Sequence, residues 1–139
     1  MRKNHSLLFL AAMAMAISTA TLFACNHATL EDRAEKEARD FTERYCPTPV
    51  QNMQRTDSIV LDRDTSTFNY YYSLRGAADN TQAVAKIRDR IKTALLSDLK
   101  GDTGSKTYKE HGFNFRYVLH SEKTKEVLYE VKFTKHDYE

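Results

Sequence analysis

Phe68-Asn69-Tyr70-Tyr71-Tyr72-Ser73-Leu74 alternates without a break between two sets of side chains. Successive side chains of a β-strand point to opposite faces. Period two therefore puts Phe68, Tyr70, Tyr72 and Leu74 on one face and Asn69, Tyr71 and Ser73 on the other. One such face must be covered, and the other can stay wet. The pattern returns twice. Phe113, Phe115, Tyr117 and Leu119 alternate with Asn114, Arg116, Val118 and His120, and Val127, Tyr129, Val131 and Phe133 line up against Leu128, Glu130 and Lys132. Ser58 to Asp62 reads as a strand joined to Thr67–Leu74 by the polar turn Arg63-Asp64-Thr65-Ser66, and Ser121-Glu122-Lys123-Thr124 turns the second hairpin.

The covering layer is also visible. Leu30, Ala34, Ala38, Phe41 and Tyr45 recur at helical spacing, with Thr29 and Asp32 placed as a variant capping box and Pro47 and Pro49 closing the segment. Asn80 to Leu99 predicts a second helix with Val84, Ile87, Ile91, Leu95 and Leu99 as its buried stripe. Asp79 or Asn80 caps it, Gly101 stops it, and residues 102–111 read as a polar loop with room for a short turn of helix. The expected class is α+β, in the order helix, hairpin, helix, hairpin. The simplest architecture is a four-stranded antiparallel sheet with both helices on its apolar face. Its opposite face would show Asn69, Tyr71, Asn114, Arg116 and Lys132 beside Val118, Leu128 and Glu130. Exposed Tyr beside Arg is typical of binding surfaces, so that open face is the candidate site.

The first 25 residues are an address. Arg2 and Lys3 precede an uncharged, mostly apolar run from Ser6 to Phe23, the layout of a secretory signal. Leu22-Phe23-Ala24-Cys25 resembles the lipobox of bacterial lipoprotein precursors. The resemblance implies removal of residues 1–24, a diacylglyceryl thioether and N-acylation on Cys25, and a single α+β domain over 25–139 whose residues 25–29 form a short tether. Two or more acyl chains anchor stably where one does not. Asn26, where an Asp would favour retention at the inner membrane, implies the outer membrane, the periplasmic leaflet ahead of the cell surface. The mature part is also similar to small uncharacterised lipoproteins of the Bacteroidetes, in Cys46-Pro47, the Tyr70-Tyr71-Tyr72 strand, Tyr108-Lys109-Glu110 before Gly112-Phe113, and the closing Tyr129 to Tyr138. That family brings no activity with it.

Charge and chemistry narrow the function. The chain has 21 Lys+Arg and 19 Asp+Glu, but two of the basic residues lie in the signal, so the part from Cys25 onward is formally neutral. That is no footprint for nucleic acid. Cys46 follows a helix C-terminus, which does not lower a thiol pKa, and no His sits with it in a cysteine-enzyme signature. His111 and His120 are nine apart, and Asp57, Asp62 and Asp64 lack the rest of a calcium loop. No cofactor and no metal is implied. The expected role is a non-catalytic binding or accessory module, held to the membrane by lipid on Cys25 and taking an envelope protein, peptide or glycan. The alternatives are a small enzyme or thiol protein using Cys46, or a structural subunit of an envelope assembly.

Overall fold

The computed structural model describes residues 27–139. Cys25 and the signal segment lie outside the described residues. The first helix, α1 (Leu30–Tyr45), opens on a complete capping box: Asp32 N–H donates to Thr29 Oγ1 at 3.1 Å and Thr29 N–H to Asp32 Oδ2 at 2.8 Å. Strands β1 (Gln54–Asp62) and β2 (Thr67–Leu74) follow as an antiparallel hairpin, with a bulge between Thr56 and Ser58. After a turn of 3-10 helix at Gly76–Ala78 come α2 (Thr81–Lys86), α3 (Arg88–Gly101) and α4 (Lys106–Glu110). The chain ends with β3 (Asn114–Ser121), β4 (Val127–Phe133) and the single turn α5 (Lys135–Tyr138).

The sheet order is β1-β2-β3-β4, and the sheet is mixed, not antiparallel throughout. The two hairpins meet through β2 and β3, which run parallel, with Thr67 beside Asn114 and Tyr70 beside Tyr117. Alternation reports which face a side chain takes; it is silent on strand direction. Direction is set by the connection, and the helical segment between Leu74 and Asn114 exceeds the dozen or so residues a parallel crossover needs. It returns the chain to the end of the sheet where β2 began.

Among the described residues there are five α-helices where the sequence pattern predicts two long ones. The long second helix is broken at Ile87, whose backbone (φ −116°, ψ 15°) leaves the α-region between α2 and α3. Asn80 caps α2 through Ala83 N–H at 2.9 Å. The polar stretch 102–111 contains α4, whose Tyr108 hydroxyl donates to Glu37 of α1 at 2.6 Å. Lys109 donates to the carbonyls of Lys100 and Asp102 (3.2 and 2.8 Å), closing the end of α3. The last turn carries its own capping box, Thr134 with Asp137, and Tyr138 donates to the Phe113 carbonyl at 2.8 Å.

Aromatic rings fill the core on one face of the sheet. Phe113, Phe115 and Phe133 are fully buried, and Phe115 stacks on Phe68 with centroids 5.7 Å apart. The parallel register sets like beside like, so Tyr70 stacks on Tyr117 at 4.9 Å in the next rung. On α1, Ala34 and Ala38 are buried against this layer. The free edge of β1 is covered at Thr56 and Ile59. The Thr42 hydroxyl accepts from Ile59 N–H (2.8 Å) and donates to its carbonyl (2.9 Å), while Thr48 N–H donates to the Thr56 carbonyl. An edge whose ladder groups are already partnered is a poor template for another strand.

Candidate functional site

The helix layer does not close over the sheet. The α2–α3 segment is packed at its two ends, with Val84 and Leu99 buried, whereas Ile91 and Leu95 are only half-buried and Ile87 is exposed. All five were expected to be buried. Between helix and sheet lies a cavity of about 610 Å³, within the range of small-molecule pockets. Its floor is Tyr70, Tyr72 and Tyr117 with Leu74 and Leu119, and its helical wall is built on Ile87, Ile91 and Leu95.

The other wall is equally unfinished. Phe41 and Tyr45 continue the stripe of Ala34 and Ala38, yet they are 36% and 60% exposed, their rings 5.3 Å apart beside a second cleft that shares Asn52, Gln54 and Tyr72 with the first. A third cleft, between α1 and α4, joins through Tyr70 and Asp102. The result is a groove over β2 and β3, walled by α1 on one side and α2–α3 on the other. Of the large apolar side chains exposed among the described residues, Phe41, Tyr45, Met53 and Ile87 all line it. Apolar surface gathered at one concave place marks a binding site more reliably than scattered exposed residues do.

Burial pushes the Tyr72 hydroxyl up to about 12, with Asp98 adding to the effect. Tyr70 and Tyr117 are raised further, again chiefly by burial. An unfolded tyrosine ionises near 10. These groups therefore contribute stability that is fully present below about pH 10 and is lost progressively as pH rises from there toward the folded value, about 12 for Tyr72. Denaturant midpoints should be flat from pH 7 to 9 and fall steeply above pH 10, and Tyr72→Phe should soften that fall. A midpoint unchanged up to pH 12 would contradict the burial.

The opposite face of the sheet holds the residues singled out from sequence. Asn69, Tyr71 and Arg116 come together there. Arg116 donates to both carboxylate oxygens of Glu130 (2.7 and 2.9 Å) and to Asn69 Oδ1 at 3.1 Å. That hydrogen bonding holds the Glu130 carboxyl below its ordinary range. Tyr71 lies over His120, with centroids 6.1 Å apart. Lys132 is exposed opposite Arg116 in the register. Asn114 sits apart at the start of β3, tied to the Thr65 carbonyl at 3.1 Å. Much of this face is thus occupied by polar groups paired with one another, and Val118 is buried in it. Leu128, at the irregularity where β4 meets the end of β3, packs against the core instead.

Cys46 is a half-buried free thiol just beyond α1. Burial, and then Asp57, push its pKa up, the reverse of what an attacking thiolate requires. Among the described residues, no three His, Cys, Asp or Glu side chains converge as a metal site would require. No helix among them is long and apolar enough to cross a membrane.

Fold and groove together define a class: an α+β domain with a mixed four-stranded sheet, its helices spread apart over one face to leave an apolar cleft. The chain belongs to the family described as Domain of unknown function (DUF8479), whose model matches residues 29–129. No curated protein matches it. Two solved structures share the fold. One is a Pseudomonas aeruginosa protein described as secreted, at TM-score 0.63 and 14% identity, covering 81% of this chain and all of the other. The other is EpsS, a pilotin from the Vibrio vulnificus type 2 secretion system, at TM-score 0.60 and 13% identity, covering 78% of this chain and 91% of the other.

Proposed function

We propose that this protein is a lipid-anchored, non-catalytic accessory module of the cell envelope, and that its groove holds an apolar segment of an envelope protein partner. The observation that carries the reading is the helix layer: α2–α3 is buried at Val84 and Leu99, while Ile91 and Leu95, only partly packed against the core, line an open cavity together with the exposed Ile87. Free apolar walls on both sides fit a segment laid between the helices, where its apolar side chains replace water. The likeness to a secreted protein and to a secretion-system pilotin supports an envelope role. The lipobox-like Leu22-Phe23-Ala24-Cys25 supports anchoring at Cys25.

The test uses photo-crosslinking residues in the native host. Probes replacing Met53 or Ile87 at the groove should give a discrete adduct, and a probe replacing Val60, exposed on the far side of the hairpin, should give none. Leu95→Glu, which puts a charge into the apolar wall, should remove the adduct. An adduct formed instead from a probe at Tyr71, and insensitive to Leu95→Glu, would move the site to the opposite sheet face.

A further inference from the structure

Charge is sorted across the helix layer in a way that apolar packing alone does not require. Among the described residues, Asp98 and Asp102 are the only charged ones lining the main cavity, and both carry carboxylates. The adjoining cleft past Tyr70 adds Glu37 and no cation, and the cleft beside Phe41 and Tyr45 adds Arg55, already paired with Asp57 at 2.9 Å. The cations of the same helices lie elsewhere. Lys86, Arg88 and Lys92 line a separate cleft against Tyr129, where Arg88 sits over the ring at 5.7 Å, and Lys100 lines another beside Tyr138. Asp102 is partly satisfied by the N–H groups of Gly104 and Ser105 (3.0 and 3.1 Å). The Asp98 carboxylate has no hydrogen bond or ion pair among the described residues, although α2–α3 is rich in Lys and Arg. Below these acids lie the Tyr70 and Tyr117 rings, whose hydroxyls likewise have no partner among the described residues. Both carboxylates are exposed at the rim of the cavity, so their field reaches a bound cation but is screened by salt.

From this, and resting on the reading of the groove as a peptide site, we infer that the bound segment carries a basic side chain among its apolar ones. Its ammonium or guanidinium group sits between Asp98 and Asp102 at the Tyr70–Tyr117 floor. The apolar walls supply affinity, and the two carboxylates set register and exclude segments with an acid at that position.

The experiment measures binding of three fluorescent 15-residue amphipathic Leu/Ala peptides that differ only at the central position of the apolar face: Lys, Gln or Glu. The Lys peptide should bind about tenfold more tightly than the Gln peptide at low salt, and the Glu peptide most weakly. The Lys preference should shrink as salt is added. Asp98→Asn should remove most of that preference, and Asp98→Lys should reverse the order of Lys and Glu. Equal affinities for all three, each abolished by Leu95→Glu, would overturn the charge inference and leave the groove reading standing. Failure of all three peptides to bind would overturn both.

Discussion

Phe115→Ala should cost about 3–5 kcal/mol, the range for emptying a fully enclosed aromatic site. Phe115 has no exposed surface; it stacks on Phe68 and meets Tyr138 edge-on at 5.8 Å. Phe68 in turn touches Tyr108 and Phe113, so the vacated volume is bordered by rings that cannot rotate into it without disturbing α4. A domain of this size has roughly 5–15 kcal/mol in total. The variant should therefore be close to unfolding at 37 °C, and its urea midpoint should drop at unchanged slope. A loss below about 1 kcal/mol would mean that Phe115 is not the centre of the core.

Cys25→Ser should move the protein from the membrane fraction to the soluble fraction, or leave it as an uncut precursor. Each buried methylene contributes about 0.8 kcal/mol, so a single long acyl chain contributes on the order of 10 kcal/mol, and a second makes release negligible. The wild-type chain from its native host should have the intact mass of an acylated protein beginning at Cys25, and the variant should lack the lipid mass. Equal, unacylated masses would remove the anchor and turn the search toward soluble partners.

Period-two alternation was enough to read β2, β3 and β4 and to separate the two faces of β2, β3 and the later part of β4, because each strand has one face on the core; at the start of β4 the irregularity in pairing exchanges Val127 and Leu128. Strand direction was not legible. Two hairpins side by side have the same alternation whether their inner strands run parallel or antiparallel, and only the path through α2–α4 decides. The break at Ile87 was hidden for a related reason: a continuous apolar stripe from Val84 to Leu99 fits an unbroken helix equally well. The groove was hidden by the same stripe. An apolar residue facing an empty cleft and one facing a filled core have the same hydropathy, so Ile87, Phe41 and Tyr45 all read as core. A faint signal was present in Met53, a large apolar residue outside every strand and helix pattern read from the sequence. On the opposite face, alternation placed Asn69, Tyr71 and Arg116 together, but the pairing of Arg116 with Glu130 and Asn69 depends on cross-strand register, which alternation does not supply.

The position of α1 has a mechanical consequence. Its first turn is pinned to the β1–β2 turn by Arg63, which pairs with Asp32 and Glu35 at 2.8 and 2.7 Å, while Phe41 and Tyr45 flank the groove at its other end. Sixteen residues of helix make a rod about 24 Å long. On the proposed anchor, the lipid joins the domain at one end of this rod and the Phe41–Tyr45 wall of the groove lies at the other, so a client segment is met up to some two nanometres from the point of attachment.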